Sequence, residues 1–394
     1  MATITIKNVG PVKEANFALN KINVFMGPQS SGKSTIAKII SYCQWVEKRS
    51  LLDGEYKEDV RKQLLNFHHL DEEYFDNNSS FEYESDFIKI NYTSKNFKQE
   101  IIINESKILD YNKTKNIYIP AERNFVSVIP NLGKYNETND NIMNLIYDWF
   151  TAKKERNKQH SLPILNLDVN YYYHKGTDSD MITLNSKKKD IPLNTGSSGL
   201  QSIIPLIVII EYLTKNIYDV VPTTSIREQE YLSKLREKLN IIGILDFAQQ
   251  VVKRSYYTLT NFIIEEPEQN LFPETQRDLV YYLLKKLKSE REHTLTITTH
   301  SPYILYALNN CMMGGLVKEQ IKDKKTSKEF ISNEFLSKNS WINPQLVSIW
   351  EIEEGKIKRI QDKDNIISEN YFDKKMTEIT DEYYQMLNYY NDEE

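Results

Sequence analysis

The feature that most constrains this 394-residue chain is a run of nine residues near its start, Gly27-Pro28-Gln29-Ser30-Ser31-Gly32-Lys33-Ser34-Thr35. Its spacing is G-x-x-x-x-G-K-[ST], the pattern of a phosphate-binding loop. The preceding run INVFM (22–26) reads as a strand. The following stripe Ile36, Ile39, Ile40, Cys43 recurs at i, i+3, i+4, i+7, so a helix is expected from about Ser34. A loop held there wraps an anion with backbone N–H groups, and the helix aims its positive end at the same point. Gly27, Gln29, Ser30, Ser31, Gly32, Lys33, Ser34 and Thr35 are therefore expected to bind phosphates. Lys33 would reach the terminal oxygens, and the Ser34 hydroxyl would ligate Mg²⁺. Only 12 of the 394 residues are glycine, about 3% against a usual ~7%. Four of them form two close pairs, Gly27/Gly32 and Gly196/Gly199, and special backbone geometry is expected at both.

Three further segments carry chemistry. The apolar run Phe262-Ile263-Ile264 ends in Glu265-Glu266-Pro267-Glu268. Charges do not belong inside a buried strand, but the carboxyl end of a parallel strand borders the ligand crevice. There Glu265 suits the Mg²⁺ shell, and Glu266 suits orienting and polarising an attacking water. About thirty residues on, the strand 294–299 ends at His300. The strand 258–264, helix 275–288 and strand 294–299 make a βαβ unit, which puts His300 at the same sheet end as the carboxylates, in reach of a γ-phosphate oxygen. Asn194 to Ser202 places small hydroxyls and glycine at a helix start. Ser198 and Gly199 are thus candidates for a second anion contact, made to a nucleotide held by another subunit.

The remaining chain reads as follows. Strands are expected at 3–7, 86–93, 97–104 and 115–119, one or two Tyr-rich strands at 168–184, and helices near 56–67, 140–158, 200–213 and 225–253. A hairpin is expected over 347–353 and 356–361, and a Tyr-rich acidic helix over 369–390. Apolar residues at 40% can fill a sizeable core, and a net charge of −5 disfavours a protein that merely coats nucleic acid. Two cysteines, Cys43 and Cys311, build neither a disulfide framework nor a four-thiolate zinc site, so a reduced, cytoplasmic setting is expected. The longest apolar run, 203–210, is interrupted by Pro205 and is too short to span a bilayer, so no membrane association is expected.

Taken in order, GPQSSGKST (27–35), SSGLQS (197–202), IIEEPEQNLFP (263–273) and TTHSPYIL (298–305) resemble the ABC-type ATPase head of transporters, SMC proteins, RecF and OLD-type ATPases. IKNVGPVKEA (6–15) and YIPAERN (118–124) resemble the RecF/OLD-like branch in particular. The resemblance implies an α/β P-loop NTPase fold of ABC/RecF type: a mixed central sheet, an antiparallel β lobe and helical insertions. It implies a head at 1–310, with insertions near 46–115, 125–190 and 214–255, and a C-terminal β-hairpin and helical extension at 311–394. It further implies ATP and Mg²⁺ as ligands, and a head-to-tail homodimer or higher oligomer trapping two ATPs. Glu266 would be the catalytic base, Lys33 and His300 would act with it, and Ser198 and Gly199 would act in trans. Leu200 replaces a second signature glycine, and Pro273 stands where transporters carry an aspartate; both depart from the transporter pattern. No Q-loop glutamine is assigned, and Glu122 or Arg123 is the candidate stand-in.

No long coiled coil interrupts the chain, and too few residues follow His300 for an appended TOPRIM nuclease. Asp178/Asp180 and Asp362/Asp364 read as turn features rather than metal sites. Heads of this kind without a fused effector resemble those of PARIS-like, Septu-like and retron-linked anti-phage systems, which implies an ATP-hydrolysing switch controlling a separate effector. Two alternatives stay open: a RecF-like repair ATPase that clamps DNA through Lys153–Lys158 or Lys187–Lys189, and an ATP-locked scaffold with marginal turnover. The terminal tyrosines, Tyr383, Tyr384, Tyr389 and Tyr390, read either as a partner-docking face or as packing onto the head.

Overall fold

A computed structural model describes residues 2–54, 56, 58–129, 132, 140–220, 226–238, 244–288, 291–321, 328–329 and 334–390. Fifteen strands are described: β1 (Thr3–Val9), β2 (Val12–Ala18), β3 (Ile22–Met26), β4 (Phe75–Glu84), β5 (Ile88–Thr93), β6 (Lys98–Ile103), β7 (Thr114–Ile119), β8 (Leu162–Pro163), β9 (Val169–His174), β10 (Ser179–Leu184), β11 (Lys189–Pro192), β12 (Leu259–Glu265), β13 (Thr294–Thr299), β14 (Val347–Glu353) and β15 (Lys356–Arg359). The helices are α1 (Lys33–Asp53), α2 (Val60–His68), α3 (Phe125–Val128), α4 (Asn141–Lys153), α5 (Ser198–Thr214), α6 (Ile226–Lys238), α7 (Ile244–Ser255), α8 (Pro273–Leu287), α9 (Pro302–Gln320) and α10 (Tyr371–Leu387).

One eleven-stranded sheet organises the chain, in the order β6-β5-β4-β1-β2-β15-β14-β3-β13-β12-β7. From β14 to β7 every neighbouring pair is parallel, so β14, β3, β13, β12 and β7 all end at the same edge. From β2 to β6 the pairs are antiparallel, which is the expected β lobe. A separate antiparallel sheet, β11-β10-β9-β8, holds the Tyr-rich segment.

The strand period of two sorts the core onto two faces. Ile22, Val24 and Met26 of β3, Ile117 and Ile119 of β7, and Phe262 and Ile264 of β12 face the cluster built by α4, α5, α8 and α9. The alternate residues Phe25, Tyr118 and Ile263 face the cluster built by α1 and the β lobe. Each fully buried Ile or Leu contributes about 1.5–3 kcal/mol, and α5 is buried from Ser202 through Thr214. Its segment Ser198–Tyr218 is long and apolar enough to cross a membrane by composition, but 78% of that window is buried inside the fold.

Pro205 lies within α5 and lacks the N–H that would bond the carbonyl four residues back. That carbonyl belongs to Gln201, and it accepts the Ser127 hydroxyl of α3 at 2.9 Å instead. The segment after β7 thus repairs a defect in α5.

Several expectations shift. The polar segment 75–84 forms β4 and 12–18 forms β2; neither stands out in the sequence because one face of each is exposed and polar. The helix expected over 140–158 ends at Lys153. The division expected at 310 falls inside α9, and β14 pairs with β3 at the centre of the sheet. Asp362 accepts the Asp364 and Ile366 amides, a turn feature as expected, whereas of the other pair Asp178 occupies the β9–β10 turn at φ 48° and Asp180 lies in β10, bound by Tyr171 and Lys153.

Candidate active site

The phosphate loop leaves β3 through Gly27 at φ 146° and enters α1 through Gly32 at φ 109°, conformations that require glycine. Ser30 between them is left-handed at φ 60° and exposed, as is Gln29 exposed. Lys33 is buried and folds back on its own loop: Nζ donates to the Gly27 and Pro28 carbonyls at 3.0 and 2.7 Å and to Ser31 Oγ at 3.5 Å. Burial lowers its pKa to about 8, opposed by the charges of Glu266, Glu268 and Glu265. The lysine thus feels all three carboxylates, and its charge is the counterweight to the acidic strand end. Ser34 and Thr35 follow in the first turn of α1.

Glu265 ends β12, buried, with Oε1 lacking any hydrogen-bond partner. The next residue, Glu266, is left-handed at φ 42°, a strained position for a residue with a side chain. Three contacts hold it there. Its N–H donates to Thr298 O at 2.9 Å, its carbonyl accepts Arg123 Nη2 at 3.0 Å, and its carboxylate lies 3.3 Å from His300 Nε2. The hydrogen bond with His300 is the main cause that lowers the Glu266 pKa, with the charges of His300, Lys33 and Arg123 adding to it against burial. Of the expected trio, Glu266 and His300 are in contact past the tips of β12 and β13, and Lys33, at the start of α1, lies close enough for its charge to act on Glu266.

Two further residues have parts here that the sequence does not reveal. Glu268 is half-buried, desolvation raises its pKa, and its Oε1 accepts the His300 amide at 2.6 Å and the Thr299 hydroxyl at 2.8 Å. It fixes the backbone from which His300 projects. Its position two residues past Glu266, across Pro267, was the available signal. Arg123, in the sequence a stand-in candidate beside Glu122, has a structural part. It is fully buried and donates to five backbone carbonyls: Pro120, Glu265, Glu266, Pro267, and Ser202 in the first turns of α5. Glu122 beside it is exposed.

The donors present fit a divalent cation shared with phosphates. Glu265 Oε1 and Glu268 Oε2 are buried acceptors without partners, and Ser34 stands in the first turn of α1 directly after the loop. Among the described residues no group of three or more His, Cys, Asp or Glu forms a protein-only metal cage.

Ser198 and Gly199 sit apart from this trio. Ser198 is exposed at the start of α5, where Ser197 caps the helix by accepting the Leu200 amide at 3.4 Å. The special backbone expected at the second glycine pair is absent at Gly196, whose φ is an ordinary −73°. Gly199 is required for space instead: a Cβ there would lie 2.8 Å from the Asn270 carbonyl oxygen. The serine–glycine element is thereby docked on the loop that follows the acidic strand end.

The basic run Lys153–Lys158 is split: Lys154 and Lys158 are exposed, whereas Lys153 turns inward. Lys153 is buried between Asp178 and Asp180 at 3.7 and 3.4 Å, and Lys158 pairs with Asp190 at 2.6 Å.

Residues 133–305 match the family model described as an AAA ATPase domain, a span that contains the serine–glycine element, the acidic strand end and His300. The fold is that of an α/β P-loop ATPase. Among solved structures the chain is similar to the SMC head domain from Thermotoga maritima, at 9% identity over 93% of this chain and 98% of that one, TM-score 0.39. It is similar to a dimeric bacterial ABC transporter cassette, at 13% identity over 90% and 97%, TM-score 0.33. The recombination mediator RecF is another, at 12% identity over 91% and 97%, TM-score 0.36. No curated protein matches the chain in sequence.

Proposed function

We propose that this protein binds and hydrolyses ATP, and that nucleotide drives two copies together head to tail. The observation that carries the proposal is the convergence of Lys33, Glu265, Glu266 and His300 at adjacent strand tips around a glycine-built anion loop.

In the free site Lys33 spends its hydrogen bonds on loop carbonyls. A triphosphate offers stronger, charged acceptors, and the lysine exchanges one set for the other as the loop N–H groups close on the phosphates. Glu266, kept ionised by His300 and Lys33, takes the proton of the attacking water. The new bond forms from that oxygen to the γ-phosphorus, the bond from the γ-phosphorus to the β–γ bridging oxygen breaks, and ADP leaves. His300 holds the Glu266 carboxylate in place beforehand, and Glu268 fixes the His300 backbone. Ser34 and Glu265 would hold Mg²⁺, which when bound would supply charge neutralisation for the phosphate oxygens. The exposed Ser198 and the docked Gly199 present a helix start outward, suited to a phosphate held by a second copy.

We further propose a cytoplasmic role in prokaryotic anti-phage defence, as the switch for a separate effector; motif resemblance is its support. The DNA-clamping alternative keeps the exposed Lys154 and Lys158 of its first lysine run but not Lys153, which is buried against Asp180. Phosphate release from ATP, compared between the wild type, Lys33→Ala and Glu266→Gln, tests the core reading. Sedimentation of Glu266→Gln with and without ATP tests the dimer. Equal ATP hydrolysis by all three proteins would overturn the proposal.

A further inference from the structure

The last helix, α10, stands off the body. None of its residues is buried, and only its first turn is anchored. There Asn370 and Asp373 form a reciprocal cap, Asp373 accepts the Tyr306 hydroxyl, and Tyr371 and Phe372 pack on the core. Beyond that turn the apolar residues Met376, Ile379, Tyr383 and Met386 are 67%, 66%, 58% and 59% exposed. With Phe372 they follow the 4-3-4-3 spacing of a coiled-coil seam, and Tyr384 and Leu387 are exposed beside it.

The charges beside the seam choose its partner. Lys375 and Glu382 occupy equivalent flanking positions seven residues apart, each directly before a seam residue. In a parallel pair of copies Lys375 would meet Thr380, and Glu382 would meet Leu387, so neither charge finds its opposite. In an antiparallel pair related by a two-fold axis, Met376 layers against Ile379 of the second copy and Phe372 against Tyr383. Lys375 then falls beside Glu382 of the second copy, twice by symmetry. The present partner of Lys375 is Glu378 at 2.6 Å, an exposed pair that is given up at little cost. The half-buried Phe372 closes the seam at the anchored end, so the second copy's Tyr383 would meet a rigid surface.

We propose that α10 is a self-association element that pairs antiparallel with α10 of a second copy. This contact is independent of the nucleotide site and needs no ATP. It would keep two heads at high local concentration before any ATP-driven closure.

The test is sedimentation of the nucleotide-free full chain over a range of concentrations, with circular dichroism to verify folding. The wild type is expected to dimerise reversibly, and Ile379→Glu to be monomeric. Lys375→Glu and Glu382→Lys each place two like-charge pairs across the axis, and each is expected to weaken dimerisation about tenfold. The heterodimer in an equimolar mixture of those two single variants contains only opposite-charge pairs, so the mixture is expected to recover association, and the double variant K375E/E382K to associate like the wild type. A monomeric wild type at every concentration, or single variants whose defect is not recovered by mixing, overturns the proposal. Repeating the series on Lys33→Ala separates it from the nucleotide reading, because only the latter depends on that lysine.

Discussion

Gly27 and Ile352 are packed back to back: a Cβ built on Gly27 would lie 2.4 Å from the Ile352 carbonyl oxygen. The phosphate loop is therefore seated on β14, a strand that arrives more than 300 residues later in the chain. Gly27→Ala meets both that carbonyl and a φ of 146°. It should cost about 2–4 kcal/mol and abolish nucleotide binding. Ile349→Ala, on the same strand and fully buried, should cost a similar 2–4 kcal/mol. Denaturant midpoints and fluorescent-nucleotide titrations of both variants check this, and an Ile349→Ala protein of unchanged stability would deny β14 its place in the core.

Glu266→Gln keeps the shape of the side chain and removes the proton acceptor. Hydrolysis should fall by about 10²–10⁴ in single-turnover phosphate release. Nucleotide affinity should stay within about threefold, because Lys33 and the loop amides are untouched. A variant that loses binding as much as turnover would place Glu266 in substrate affinity instead.

Arg123 ties the end of β7, the acidic strand end and the first turns of α5 through five carbonyl contacts. Arg123→Met leaves those buried acceptors unpaired and should destabilise the protein by about 3–5 kcal/mol. Arg123→Lys, which can restore only part of the set, should fold better yet still hydrolyse ATP slowly, because the strained backbone of Glu266 loses one of its anchors. Turnover at saturating ATP, read beside thermal unfolding of the same two variants, separates the effects.

His293 gives a pH signature. Burial, with the charge of Arg291, lowers its pKa from 6.5 to about 4, and its Nδ1 must be unprotonated to accept the Thr260 amide at 3.0 Å. A group whose folded pKa is depressed binds its proton more readily when unfolded. Its contribution is whole above pH 6.5 and is lost as the pH falls toward 4. His293→Asn should flatten that part of the stability profile, narrowing the gap to wild type by roughly 2–5 °C between pH 7 and pH 5. Parallel profiles for the two proteins would show that His293 does not titrate on unfolding.

The local elements were legible because each carries a short-range signal. Gly27 and Gly32 mark the loop at fixed spacing, the run Phe262–Ile264 stops at carboxylates, and β13 stops at His300. β2 and β4 were not legible, since strands with one polar, solvent-facing side dilute the apolar pattern. Glu268 and Arg123 were hidden for a different reason. Glu268 acts by accepting the amide that supports His300, and its spacing from Glu266 marks the residue but not that role; Arg123 acts through carbonyls, which leave no trace in residue spacing.

By itself, then, the order of residues determined the phosphate loop, the acidic strand end, the histidine and the class of fold, because backbone sterics and hydrophobic period act over a few residues at a time. Only the tertiary structure decided that β14 enters the sheet beside β3, that Arg123 spans three segments, that Lys153 is buried against Asp180, and that Gly199 is there for the Asn270 carbonyl. Those contacts join residues tens to hundreds of positions apart, and what selects them is the closing of a common core, which no local stretch of sequence contains.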